Sequence, residues 1–197
     1  MVHIQPASLA RAVCYPAQMA TAATTHFVTE AEFLALPESN QRIELIDGEL
    51  IVPPSLTFEH QTAVGRLFNA LSGWAAKQAP QPTVALAPLD VRFGPSRILQ
   101  PDLMVFLRPL PRDIETPITR VPELVIEVLS NNRSYDRFTK RALYAEAGVK
   151  EYWLVDIDGS RIEVRTGAAL SGERFCTDKL SSLLLPDFVL DVSALIG

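Results

Sequence analysis

Two carboxylates and a lysine stand where side chains of their kind need an explanation. Glu127 lies within Leu124-Val125-Ile126-Glu127-Val128, and alternation at a period of two sets it among residues that face either a core or a cleft. Burying an unpaired charge costs several kcal/mol, so Glu127 pairs with a cation, binds a metal or sits at an open strand end. Asp102 follows Pro101 and opens a second apolar run, Leu103-Met104-Val105-Phe106. If the two runs pair as antiparallel neighbours, Asp102 begins one strand where Glu127 ends the other, and both carboxylates reach the same edge of the sheet. Lys140 falls in the second turn of a helix expected to start about Tyr135, and its long stem can carry an ammonium back over that edge.

Such a trio suits Mg²⁺, or Mn²⁺, which takes a few carboxylates, a backbone carbonyl and several waters, and can orient and acidify a water aimed at a phosphodiester. Asp102, Glu127 and the carbonyl of Val128 are the candidate ligands. Lys140 would hold or deprotonate the attacking water, or stabilise charge growing on the phosphate. Ordinary readings stand beside these. Glu127 can form an ion pair with Arg133, Arg137 or Lys140 that ties helix to sheet, and Asp102 can be a strand-opening turn residue. Lys140 can make a solvated pair with Asp136, four residues earlier. Arg133, Arg137 and Arg141, with Lys140, read as a basic helix face, ordinarily solvated, that would meet phosphates if nucleic acid binds.

The elements that must position these residues follow from spacing. Thr29 and Glu32 form a capping box that opens a short helix to about Leu36. Arg42–Ile46 and Glu49–Val52 flank Asp47-Gly48, a pair suited to a tight hairpin turn. From Thr57 to Gln78, the residues His60, Val64, Leu67, Leu71 and Trp74 recur at three and four positions, which predicts a long amphipathic helix. His60 is therefore aimed inward or at a cleft, as a hydrogen-bonded core histidine or as an orienter or base beside a metal. TVALAPLDVRF reads as one strand and PDLMVF as the next, followed by a proline-rich exposed loop from Arg108 to Val121. Ser134 is placed to cap the helix after Glu127, Tyr144 reads as helix packing, and Gly148 sits where a left-handed C-cap belongs. EYWLVD and RIEVR form a hairpin across Asp158-Gly159, and the closing residues supply another apolar segment with a short helix or strand.

The 197 residues suffice for one sizeable core. A formal charge of −5 argues against broad, charge-driven binding to nucleic acid or anionic membrane while leaving room for a local basic patch. Two cysteines, Cys14 and Cys176, lie far apart with no metal-type spacing, so a reducing cytoplasm is the default expectation. Residues 1–25 read as a disordered tail, with translation starting at Met1 or Met19, and residues 26–197 as a single domain.

The strings RIELIDGELI, HQTAVGRL, APLDVRF, QPDLMVF, PELVIEVLS and GVKEYWLVD, in this order and spacing, resemble the Uma family of restriction-endonuclease-like proteins from about Thr29 to Leu195. Members look like the PD-(D/E)xK nuclease superfamily. The resemblance implies a mixed α/β (α+β) fold: a helix-strand-strand-strand-helix-strand core, with an N-terminal helix and hairpin and a C-terminal hairpin. It implies that Pro101-Asp102 is the proline–acid pair, that Glu127 is the second acid, and that Glu44 is a candidate third acid, for which a cross-strand charge pair is the alternative. Leu129 occupies the position two after the acid where the superfamily carries lysine, and Lys140 stands as its replacement on the following helix. The implied activity is Mg²⁺- or Mn²⁺-dependent cleavage of DNA, with no membrane partner. A non-catalytic nucleic-acid or protein-binding module, or an accessory protein assembling as a homodimer or larger homo-oligomer, is the alternative.

Overall fold

A computed structural model describes residues 27–37, 39, 41–129 and 134–196; the expectations for the tail, the start codon, Cys14 and Arg133 lie outside these residues. The Thr29 hydroxyl accepts from the Glu32 amide, and the Thr29 amide donates to the Glu32 carboxylate, so the capping box opens α1 (Glu30–Leu34). β1 (Glu44–Ile46) and β2 (Glu49–Ile51) pair antiparallel across Asp47 and Gly48, whose φ values of 51° and 90° are those the tight turn demands. α2 (Phe58–Ala75) starts at its Thr57 cap and buries the predicted stripe of His60, Val64, Leu67, Leu71 and Trp74.

The strand expected through TVALAPLDVRF is divided. β3 (Thr83–Leu86) and β4 (Val91–Gly94) belong to different sheets, with the break at Ala87-Pro88. Proline brings no ladder donor and restricts the residue before it, so two separate strands satisfy the backbone better than one. β4 then turns at Pro95 and Ser96 into β5 (Arg97–Leu99), a hairpin marked by the Gly94-Pro95 pair and absent from the expected strand order. The proline-rich connection is not wholly exposed either. Ile118 is buried and bridges β4: its amide donates to the Asp90 carbonyl, and its carbonyl accepts from Arg92.

β6 (Leu103–Phe106) and β7 (Leu124–Val128) are antiparallel neighbours, as expected. A π-helical turn (Tyr135–Lys140) continues as α3 (Arg141–Ala147), which ends at Gly148 with φ of 93°. Ser134 makes no side-chain cap bond, contrary to expectation, because it already has helical φ and ψ and so cannot fold its hydroxyl over the first turn. β8 (Glu151–Asp156) runs parallel to β7, while β9 (Arg161–Thr166) and β10 (Gly172–Cys176) add antiparallel ladders. Among the described residues the main sheet is ordered β10-β9-β8-β7-β6-β3, beside a four-stranded sheet β2-β1-β5-β4. β11 (Lys179–Ser181) pairs with β12 (Val189–Asp191), and α4 (Val192–Ile196) closes the chain.

The pleat of the main sheet sorts its side chains into two layers. Leu103, Val105, Leu124, Ile126 and Trp153 pack with α2, α4 and Phe188 on one face. Met104, Phe106, Val125, Tyr152 and Leu154 pack with β4, Leu143 and Tyr144 on the other. Leu129, two residues after Glu127, joins this second layer as a buried hydrophobe. No helix among the described residues is long and apolar enough to cross a membrane.

Candidate functional site

The register of the central strands builds the site. Leu103 lies opposite Ile126, which sets Asp102 level with Glu127 at one end of the sheet. By alternation Asp102 shares the face of Met104 and Phe106, and Glu127 that of Val125, so both carboxylates belong to the layer covered by α3 and β4. The helix after β7 supplies the third group. An i→i+5 turn brings residues four and five apart onto one stripe, and Asp136, Lys140 and Tyr144 follow that spacing into the interior. Arg42 and Glu44 arrive from β1 and the residues before it, and His60 from the first turn of α2.

Asp102 is held by three partners and keeps one acceptor site open on Oδ1. Its Oδ1 accepts from Arg42 Nη1 at 2.9 Å, while its Oδ2 accepts the Val128 amide at 2.9 Å and stands 3.1 Å from His60 Nε2. Glu127 Oε1 accepts from Lys140 Nζ at 2.9 Å and from the Tyr144 hydroxyl at 2.6 Å. Lys140 Nζ also lies 3.5 Å from Glu44 Oε1 and 4.0 Å from Asp136 Oδ1. Glu44 Oε1 accepts the Gln100 amide at 3.0 Å, whereas its Oε2 is buried with no hydrogen-bond partner.

Burial and charge set the protonation states. Burial pushes Asp102 up, but the bond to His60 and the charge of Arg42 outweigh it and hold the carboxyl well below the usual range. Burial pushes Glu127 up to about 7; Lys140 pulls it back and Asp102 adds repulsion. Burial pulls Lys140 down, yet Glu127 and Glu44 outweigh it and hold its ammonium above the ordinary lysine value. Arg42 is likewise kept charged against burial by Glu127, Asp102 and Glu44. Tyr144 is driven well up by burial and by Glu127.

The groups converge. Asp102, Glu127, Val128, Lys140, Glu44 and His60 all line one cavity of about 80 Å³, room for an ion and a few waters, with an apolar rim at Val52, Pro53, Pro54 and Leu56. Four carboxylates (Glu44, Asp102, Glu127 and Asp136) face two cations (Arg42 and Lys140), a formal excess of two negative charges when all are ionised. Among the described residues no cluster of three or more His, Cys, Asp or Glu side chains is disposed to hold a metal ion.

Other expectations are corrected. Arg137 does not pair with Glu127; it reaches Asp156 and Glu163 at 3.2 and 3.3 Å, on the β8–β9 side. Lys140 makes no solvated surface pair with Asp136, since both residues are buried, and the continuous basic helix face therefore does not form. Spacing arguments missed Arg42, Tyr144 and Tyr135. The signal for Tyr144 is its place four residues after Lys140 and eight after Asp136; Arg42 shares the face of Glu44 at a spacing of two, and the β1–β5 pairing brings both in.

A mixed sheet with one parallel pair, its central antiparallel strands ending in two carboxylates beneath a helix that carries a buried lysine, defines the restriction-endonuclease-like fold. The chain belongs to the Uma2 family, described as "Putative restriction endonuclease", whose model matches residues 30–193. The chain is similar to the crystal structure of "a putative nuclease belonging to DUF820" from Anabaena variabilis, with a TM-score of 0.72 and 23% identity over 86% of this chain and 97% of that one. No curated protein matches it.

Proposed function

We propose that the protein is a Mg²⁺- or Mn²⁺-dependent nuclease that hydrolyses DNA phosphodiester bonds at the cavity formed by Asp102, Glu127 and Lys140. One observation carries this reading: two carboxylates on adjacent strands and a charged, buried lysine share a cavity with an excess of negative charge. A hard divalent cation fits that excess, and Mg²⁺ needs only one or two carboxylates because it keeps several waters. Asp102, Glu127 and the Val128 carbonyl would hold it, with the unpartnered Glu44 Oε2 placed to anchor one of its waters. When bound, the ion would orient and acidify a water aimed at phosphorus.

The chain's own groups divide the remaining work. Lys140 stays an ammonium at neutral pH, so it holds the water or neutralises charge on the phosphate and does not act as the base. Glu127, raised toward 7 by burial in the metal-free protein, would be held ionised as a ligand once a divalent cation sits beside it. His60 orients Asp102 through the 3.1 Å contact, and Arg42 and Tyr144 fix the two carboxylates in place.

The test incubates the purified protein with plasmid, linear and single-stranded DNA in Mg²⁺ or Mn²⁺, beside Asp102→Ala and Lys140→Ala. Loss of cutting in both variants is the expected result; equal cutting by all three proteins would sink the assignment. A second reading draws on Arg42 and Lys140, which already pair with Asp102 and Glu127 without a metal: a non-catalytic DNA-binding module. Binding without cutting in either metal would select it.

A further inference from the structure

The cavity contains donors that make no hydrogen bond among the described residues. Arg42 spends only Nη1, on Asp102; its Nε and Nη2 are buried and make no hydrogen bond, and Nη2 stands 3.6 Å from Glu44 Oε1, beyond bonding reach. The Tyr135 hydroxyl, at the start of the π-helical turn, is likewise buried without a partner. Both side chains line the same cavity as Asp102, Glu127 and Lys140. A buried donor without an acceptor is costly, and folded chains retain few of them. Three such donor atoms on two side chains, two of them on one guanidinium fork, match the planar, bidentate recognition of a tetrahedral oxyanion; His60 Nδ1 is a further ring nitrogen there without a partner. Glu44 Oε2 is the unpartnered acceptor there, and one water can satisfy it while leaving the donors for a ligand.

We propose that Arg42 and Tyr135 form an anion subsite that takes the non-bridging oxygens of a DNA phosphodiester, Arg42 through Nε and Nη2 and Tyr135 through its hydroxyl. This rests on the nuclease reading and adds to it the residues that grip the phosphate. Arg42 thereby serves twice, bracing Asp102 with one nitrogen and holding substrate with the others. Both are substrate-binding groups distinct from the metal-holding carboxylates.

Tyr135→Phe is the decisive variant, because it deletes only an atom that bonds to nothing in the free protein. Its urea midpoint should equal or exceed that of wild type, while its affinity for a labelled DNA oligonucleotide, measured in Ca²⁺, should fall about tenfold, the effect of one charge-assisted hydrogen bond. The KM for cleavage in Mg²⁺ should rise by a similar factor, with kcat changing less. Arg42→Lys, which keeps the charge and loses the fork, should lose affinity as well, and inorganic phosphate should compete with the oligonucleotide for wild type more strongly than for either variant. The proposal is overturned if Tyr135→Phe binds the oligonucleotide as tightly as wild type, or if it unfolds at lower urea. If wild type cuts DNA while Tyr135→Phe matches it in affinity and KM, the subsite fails and the nuclease reading stands. If neither protein cuts but the affinity ratio holds, the subsite stands and the nuclease reading fails.

Discussion

Replacing Glu127 by glutamine isolates the most perturbed carboxylate of the site. Its pKa in the fold is about 7 against the ordinary 4.5, with burial the leading cause and repulsion from Asp102 adding to it. A folded value above the unfolded one means that the native state holds the proton more tightly. The associated stability is fully present below about pH 4.5 and is lost as pH rises through 7. A rise of about 2.5 in pKa corresponds to on the order of 3 kcal/mol across that window. Glu127→Gln keeps the shape, still accepts the Tyr144 hydroxyl and the Lys140 ammonium at Oε1, and cannot titrate. Urea unfolding of both proteins in EDTA at pH 5, 6, 7 and 8 gives the difference, since titration of groups remote from the site, such as Glu151, is common to both. Wild type should lose stability relative to the variant from pH 5 to 8, by an amount of that order. Parallel curves would show that burial does not raise the Glu127 carboxyl in the metal-free fold.

Mg²⁺ should raise the melting temperature of wild type, by the equivalent of about 2.7 kcal/mol when present at a hundredfold its Kd, and should leave Asp102→Ala and Glu127→Ala unmoved; differential scanning fluorimetry checks this, and equal shifts in all three would place the ion elsewhere. Lys140→Met leaves Glu127, Glu44 and Asp136 without their shared buried cation, a loss of roughly 3–5 kcal/mol that should be smaller at pH 5.5, where Glu127 is protonated, than at pH 8. The same urea series reads it. Gly148→Ala forces a Cβ into the left-handed cap at φ 93° and should cost about 1 kcal/mol in the urea midpoint with no change in metal binding.

Local chemistry determined much of this protein. The capping box of Thr29 and Glu32, the Asp47-Gly48 turn, the apolar stripe of α2 and the Gly148 cap each depend on residues a few positions apart, so pattern alone locates them. The alternation of Leu124–Val128 and Leu103–Phe106 even located Asp102 and Glu127 at one sheet edge, because antiparallel pairing of two short apolar strands leaves few registers. Tertiary structure decided what surrounds them. Whether TVALAPLDVRF is one strand or two depends on which sheets need each half, and the π-helical start of the helix depends on Asp136, Lys140 and Tyr144 all being drawn inward. Arg42, 60 residues from Asp102 along the chain, enters the site only because β1 pairs with β5. Charge balance is likewise a property of the assembled cavity. In sequence Glu127 is an acid in an apolar strand and Lys140 one member of a basic helix face; buried 2.9 Å apart, each sets the other's charge.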